Sequence, residues 1–264
     1  MIFQYPACPI EDCVFTVPWL SDDRFKFTRM EDFELKTVLD SIRAITCTWN
    51  LYDFKNLYEK VDCQPLWYSR HTDLTNFYYT VDESLELIQW YLKFQMGTEE
   101  GVTDFLQNLY YVCERVKPKF NTIVVKSPMS AGKNWFWDMI FCFYWNKGQM
   151  GNPNKFNRFA YQCCVNRRIV LWNEPNYASE ETEKLKMLLG GDTMTAQIKN
   201  QPDGHVARVP VIVLTNNDVN FMYDNNFAHR LKTYHWQACE PLKQYTKKPN
   251  PMAWPAILEM YNLL

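Results

Sequence analysis

The spacing of apolar positions changes in character near Pro118. Before it, apolar side chains recur at steps of three and four residues, which is typical of amphipathic helices. This spacing predicts helices over residues 33–45, 49–58, 85–94 and 102–116, with an irregular segment over 62–80. Residues 1–25 contain three prolines and are predicted to form an extended arm or an irregular cover. The first part of the chain is therefore predicted to be mostly helical.

After Pro118, short β-branched runs alternate with stretches of helical spacing. The runs at 121–126, 169–172 and 210–215 predict buried strands. Helices are predicted from 133 to near 148 and over 180–189, the second capped by Ser179, with a loop and a short helix over 149–166. Residues 193–209 are predicted to form a hairpin around Pro202-Asp203-Gly204, and the proline-rich tail after 241 to wind over the surface. Alternation of strand and helix predicts an α/β fold with a largely parallel sheet.

Charge sharpens this division. Residues 1–118 hold 11 Lys+Arg and 19 Asp+Glu, whereas residues 119–264 hold 17 and 11, although the whole chain carries only −2. A net charge this small argues against a chain that binds nucleic acid over its whole surface. The two opposite charges predict two regions with different partners, and a chance fluctuation of a few units is the alternative.

Cysteine and histidine usage excludes some chemistry. The nine cysteines form no C-x-x-C pair, and none of the four histidines lies at ligand spacing from paired cysteines. A zinc site or a disulfide framework is therefore not predicted, and a reducing compartment fits the composition. No signal-like segment and no apolar run of about 18 residues occurs, so neither secretion nor a membrane span is expected.

The stretch 122–134 has the layout of a phosphate-binding loop. A strand run, a loop of small residues and a Gly-Lys pair lead directly into a helix, so loop N–H groups and the helix N-terminus can face an anion. The cradle residues are Ser127, Ser130, Ala131, Gly132, Lys133 and Asn134. The pattern usually has Gly at the Ser127 position and Ser or Thr at the Asn134 position. An ordinary strand–turn–helix with a solvated lysine is the alternative.

Polar residues also follow the other two buried runs. Asn173 and Glu174 end the second run, and Asn216 follows the third. In an open α/β sheet, ligands bind beyond the carboxyl ends of the strands, so these residues are expected to share one crevice with the loop. Glu174 can order an attacking water or hold Mg²⁺ through water, and Asn216 can contact that water or a γ-phosphate. A solvated strand-terminal glutamate and a plain turn are the alternatives.

Two further cationic features are candidates for function. Arg230 can act as an arginine finger in the site of a neighbouring subunit, although a single arginine is uninformative by itself. The predicted hairpin carries Lys199, Gln201, His205 and Arg208. A projecting loop with cations can hold a phosphate backbone without reading bases. An ordinary polar surface hairpin is the alternative.

Four ordered segments together resemble a known family: SPMSAGKNWFWDM, RIVLWNEPNY, LKMLLGGDTMTAQIKNQPDGH and PVIVLTNND. They are similar to the superfamily-3 helicase domain of a parvovirus large non-structural replication protein, and most of all to those of insect and crustacean densoviruses. The resemblance covers about 115–235 strongly and the helical region loosely. It implies an AAA+ P-loop ATPase core over 119–264, preceded over 1–118 by an arm and a small helical oligomerisation region.

The resemblance also implies roles for individual residues, with ATP and Mg²⁺ as ligands. Lys133 matches the phosphate-loop lysine, and Asn134 stands at the usual metal position. Glu174 keeps the second of two paired acids, and Asn173 replaces the first, which leaves Asn173 as a further candidate ligand. Both asparagines could weaken metal binding. Asn216 matches the polar sensor and Arg230 the arginine finger.

The implied partners are single-stranded DNA and further copies of the chain. Such proteins form rings, usually hexamers, that move along single-stranded DNA 3′ to 5′. Lys199 matches the lysine of the hairpin in the central pore, Gln201 stands where some relatives have a second lysine, and His205 lies just past the turn. A viral protein of this kind is expected in the host nucleus, away from membranes, with host replication proteins as further partners.

Other hypotheses remain at this stage. No His-x-His occurs, so the family's nuclease domain is expected to be absent and the chain to be a helicase fragment or a product without that domain. An ATPase that packages or remodels DNA without strand separation is one alternative. A non-catalytic oligomeric scaffold that binds nucleotide weakly is another.

Overall fold

The helical spacing before residue 118 corresponds to real helices. The computed structural model describes residues 1–264. Its α-helices are α1 (Val17–Ser21), α2 (Phe33–Thr46), α3 (Leu51–Tyr58), α4 (Val81–Met96), α5 (Glu99–Cys113), α6 (Lys133–Tyr144), α7 (Thr182–Gly190) and α8 (Ala253–Met260). Its strands are β1 (Thr122–Lys126), β2 (Lys147–Gln149), β3 (Ile169–Asn173), β4 (Met194–Ala196), β5 (Gly204–Val206), β6 (Val211–Thr215) and β7 (Leu231–His235). Reciprocal capping boxes begin α3 and α4, at Asn50 and Thr80.

The central sheet has five strands in the order β2-β3-β6-β1-β7, and every pairing is parallel. The middle strands consist of apolar runs because layers of chain cover both faces of the sheet. Ile123, Val124 and Val125 of β1 are fully buried. The carboxyl ends of β1, β3 and β6 therefore open at one edge. This arrangement confirms the predicted α/β fold with its largely parallel sheet.

A single apolar cluster joins the helical region to the sheet. It contains residues from Ile2 to Leu258 and includes Phe54 of α3, Phe105 of α5 and Phe136 of α6. Helix α6 is buried from Phe136 to Tyr144 except for Asp138, so this helix lies inside the molecule. The division at residue 118 stays a prediction, and side chains from both sides of it share this core.

A buried ion pair lies where the two parts meet. The Arg168 guanidinium, which is fully buried, is 2.5 Å from the Glu114 carboxylate. Arg168 also donates to the carbonyl oxygens of Cys113 and Trp49, each at 2.7 Å, and Tyr144 donates to Glu114 at 2.6 Å. Both charges are paired and hydrogen-bonded, so removing one partner would leave an uncompensated buried charge, which costs about 3–5 kcal/mol in such sites.

Several details of the sequence prediction are wrong. The tail does not simply wind over the surface, because α8 buries Trp254, Ile257 and Leu258 in the core. Ser179 does not cap a helix: it lies in a 3₁₀ turn, and no side chain caps α7. Gly204 belongs to β5 rather than to the turn. The helix predicted to end near 148 ends at Tyr144, and Gly148 belongs to strand β2. The sequence does not predict strand β7 either.

Some chemistry is absent from the structure. The nine cysteines are free thiols. No three His, Cys, Asp or Glu side chains are grouped so that they could hold a metal ion. None of the helices is both long enough and apolar enough to cross a lipid bilayer.

Candidate functional site

The predicted crevice exists at the carboxyl edge of the sheet. It is a cleft of about 360 Å³ between the loop after β1 and the residues that follow β3 and β6. The predicted residues that line it are Ser130, Ala131, Gly132, Lys133, Asn134, Asn173, Glu174 and Asn216. Ser127 does not line the cleft. It is buried beneath the loop, and its N–H donates to the Thr215 carbonyl at 3.0 Å.

The loop has the backbone shape of an anion cradle. Ser130 and Gly132 adopt left-handed conformations, with φ of 60° and 84°. A Cβ atom on Gly132 would force the end of the Leu242 side chain to move, and the left-handed φ itself favours glycine at this position. The backbone N–H groups from Met129 to Trp135 donate no hydrogen bond within the chain. Free N–H groups beside the start of α6 fit a phosphate group.

The Lys133 side chain lies close to residues at the carboxyl ends of β3 and β6. Its ammonium group donates to the Asn216 side-chain oxygen at 2.6 Å and to the Thr215 carbonyl at 3.1 Å. The Glu174 carboxylate is 4.0 Å away. Burial lowers the pKa of Lys133 below its ordinary value, and the Glu174 carboxylate partly offsets this change. The three residues that the sequence placed in one crevice do meet there.

The Glu174 backbone is strained. Its φ is +46°, an uncommon value for a residue with a side chain. Its N–H donates to the Leu214 carbonyl at 2.8 Å, and its carboxylate accepts from the Asn216 N–H at 3.1 Å. These contacts fix the carboxylate at the mouth of the cleft, beside the lysine.

Asn152 is a supporting residue that sequence reasoning missed. Its side-chain nitrogen donates to the Glu174 carbonyl at 3.3 Å, and its oxygen accepts from the Trp172 indole at 2.7 Å and from the Asn176 N–H at 3.0 Å. Asn152 thus shapes the turn that carries Glu174. Its only sequence signal is a Gly-Asn-Pro-Asn string typical of turns.

The candidate metal ligands offer mainly neutral oxygens. Glu174 is the only carboxylate that lines the cleft, and the side chains of Asn134 and Asn173 are exposed there without hydrogen bonds to the chain. Mg²⁺ commonly keeps several waters and binds through one or two carboxylates together with substrate phosphates. The set of donors therefore fits a magnesium ion that is held largely by water and nucleotide.

Arg230 does not reach the cleft of its own subunit. It precedes β7, which runs parallel to β1. Arg230 therefore lies at the amino ends of the strands, whereas Lys133 lies beyond their carboxyl ends. Its guanidinium donates to the Lys186 carbonyl at 3.0 Å and also to the Asn226 carbonyl.

The hairpin lies outside the cleft. Strands β4 and β5 are antiparallel, with Thr195 opposite His205. Lys199, Gln201 and His205 are exposed, and their side chains make no hydrogen bond within the chain.

Arg208 differs from the rest of the hairpin. Its guanidinium donates to the carbonyls of Arg115, Lys117 and Phe120, at 3.0, 2.5 and 2.9 Å. Arg208 therefore differs from the three exposed candidates for DNA contact, because its donors bind the linker before β1.

A parallel sheet with a strand–loop–Lys–helix unit after the inner strand β1, and with polar residues at the carboxyl ends of β3 and β6, defines an α/β P-loop nucleotide-binding fold. The family described as "Parvovirus non-structural protein NS1" matches residues 102–243, more than half of the chain. The chain belongs to this family.

Two densovirus proteins are among the relatives that share sequence with it. Initiator protein NS1 of Junonia coenia densovirus is 46% identical over 187 residues, which cover 70% of this chain and 34% of the relative. Initiator protein NS1 of Bombyx mori densovirus is 36% identical over 209 residues, or 75% of this chain and 23% of the relative. The chain thus spans about a third or less of these proteins. Among solved structures, JCV Helicase is similar with a TM-score of 0.46 and 10% identity, covering 80% of this chain and 57% of that one.

Proposed function

We propose that this chain is an ATP-driven DNA helicase motor for the replication of a viral single-stranded DNA genome. The observation that carries the proposal is the meeting of Lys133, Glu174 and Asn216 over a loop whose N–H groups are free. Membership of a family whose relatives are called initiator proteins supports a role in replication. ATP is the proposed substrate and Mg²⁺ the proposed cofactor.

Each residue has a chemical role in this proposal. The loop N–H groups and Lys133 bind the phosphates, and Asn134, Asn173 and Glu174 are the candidate metal ligands. Mg²⁺, when bound, neutralises charge that develops on the phosphate oxygens. Glu174 orients the attacking water and accepts its proton, and Asn216 holds the Lys133 ammonium in place. Fixed donors and a fixed carboxylate need little reorganisation during the reaction.

The proposed assembly is a ring, with a hexamer as the expected form. Arg230 lies at the amino ends of the strands, and Lys133 lies beyond their carboxyl ends. A role for Arg230 in catalysis therefore requires the cleft of a neighbouring subunit. The hairpin residues Lys199, Gln201 and His205 are proposed to contact single-stranded DNA in the pore during 3′ to 5′ movement. The proposed location is the host nucleus, with host replication proteins as further partners.

Replacing Glu174 by Gln tests the catalytic role directly. The turnover number for ATP should fall by about 100-fold or more, because the amide cannot accept a proton, while nucleotide binding should persist. Steady-state ATP hydrolysis and equilibrium nucleotide titration measure the two effects. Glu100→Gln is a matched control, because Glu100 is an exposed carboxylate of α5 that makes no hydrogen bond.

The alternatives give different results. If the unsubstituted chain hydrolyses no ATP under any metal and DNA condition, the motor proposal fails and a nucleotide-binding scaffold remains. Hydrolysis without strand displacement would favour a packaging or remodelling ATPase. Light scattering with ATP, Mg²⁺ and single-stranded DNA present tests the ring, and a monomer under those conditions would contradict a trans-acting Arg230.

A further inference from the structure

Two buried side chains of α4 hold the phosphate loop from behind. The Tyr91 hydroxyl donates to the Ala131 carbonyl oxygen at 2.7 Å, and the Gln95 carboxamide nitrogen donates to the same oxygen at 3.2 Å. Tyr91 is fully buried and Gln95 nearly so. Both residues come from the predicted oligomerisation region, 40 and 36 positions away from Ala131 along the chain.

The segment after β7 completes this support. Gln95 donates to the Gln237 carbonyl at 3.0 Å and accepts from the Gln237 N–H at 2.8 Å. Two residues later, the Cys239 N–H donates to the Ser130 carbonyl at 3.0 Å. Two successive carbonyls of the loop are therefore held on the side away from the cleft.

Peptide geometry gives these contacts a consequence for ligand binding. In a planar trans peptide, the C=O group and the following N–H group point in opposite directions. Fixing the Ala131 carbonyl therefore fixes the Gly132 N–H, and fixing the Ser130 carbonyl fixes the Ala131 N–H. Neither N–H has an acceptor within the chain. The Ala131 oxygen already accepts two hydrogen bonds, which fill its two lone pairs and keep it from turning toward a phosphate.

We propose that Tyr91 and Gln95 are positioning residues that orient the Gly132 N–H toward the phosphates of the nucleotide. The proposal rests on the nucleotide-binding function proposed above, and it goes further by making the helical region part of the phosphate site. Packing alone does not account for the arrangement, because one phenol and one carboxamide converge on a single carbonyl of the loop.

The test is Tyr91→Phe, which removes one hydroxyl and keeps the aromatic ring. The dissociation constant for MgADP, measured by isothermal titration calorimetry, should rise about threefold to tenfold, the worth of one hydrogen bond. The Gly132 amide resonance, followed by ¹H–¹⁵N NMR, should shift less on addition of MgADP than in the unsubstituted chain. Tyr91→Phe combined with Gln95→Leu should have a larger effect on both measurements.

Tyr78→Phe is the matched control. Tyr78 is also buried, and its hydroxyl accepts from the Tyr68 N–H at 2.9 Å, but it does not line the cleft. This variant should lose thermal stability to a similar degree and bind MgADP normally. If both variants melt earlier and neither changes the MgADP affinity or the Gly132 shift, Tyr91 is only structural and the inference is overturned. If the unsubstituted chain fails to bind MgADP, the proposed function itself fails.

Discussion

The candidate nucleotide cleft and the hairpin differ in how their polar side chains are held. In the cleft, the Lys133 ammonium contacts Asn216 and Thr215, and the Glu174 carboxylate accepts from a backbone N–H. On the hairpin, Lys199, Gln201 and His205 have no partner within the chain. A fixed constellation suits chemistry on one defined ligand, whereas long free side chains suit a polymer that is held through its phosphates and must slide.

The largest expected effect comes from removing the fixed cation. Lys133→Ala should lower the rate of ATP hydrolysis by about 100-fold or more, because the variant loses the charge that we propose contacts the outer phosphates. Steady-state ATPase assays measure this loss. Lys60→Ala, which changes an exposed lysine after α3, is the control. Equal rates in Lys133→Ala and the unsubstituted chain would show that the cleft is not the hydrolytic site.

A smaller effect is expected from Arg208, which joins the end of the hairpin to the linker before β1. Arg208→Met should lower the free energy of unfolding by about 2 kcal/mol, because three carbonyls of the linker lose a charged donor. Urea unfolding measures it, with Lys199→Met as the control. If stability is unchanged while DNA binding weakens, Arg208 acts on DNA together with the exposed hairpin residues Lys199, Gln201 and His205 rather than as a support for the linker.

The smallest effect on the cleft is expected from the free cation of the hairpin. Lys199→Ala should leave ATP hydrolysis without DNA unchanged, and it should reduce the slope of log affinity for single-stranded DNA against log salt by about 0.7. Strand displacement should be lost while basal hydrolysis remains. Filter binding at several salt concentrations measures the slope, and unchanged slope and unwinding would remove the hairpin from the DNA path.

The sequence predicts the three inner strands of the sheet, β1, β3 and β6, but not the two edge strands, β2 and β7. Strands β1, β3 and β6 are covered on both faces, so they consist of apolar runs that stand out. Strand β2 is a three-residue edge strand, and in the edge strand β7 exposed and buried positions are mixed. Helix α8 was hidden by nearby prolines, although Pro255 lies in its first turn, where proline is tolerated.

In the candidate site, too, the sequence predicts residues that follow recognisable strands, and it misses residues that act through contacts distant along the chain. Lys133, Glu174 and Asn216 each follow a recognisable strand, and the topology of a parallel sheet brings strand ends together. Tyr91, Gln95 and Asn152 act through hydrogen bonds to distant backbone atoms, which no local pattern encodes. Arg208 illustrates the same limit, because the sequence does not show whether an arginine of a hairpin points to solvent or to its own backbone.

The buried ion pair of Arg168 and Glu114 constrains how this protein can diverge. A single substitution at either position strands one charge in a dry interior, so most one-step changes reduce the yield of folded protein. A double change to apolar residues of similar volume is neutral or stabilising in comparable sites. We therefore expect residues 114 and 168 to be replaced together rather than one at a time.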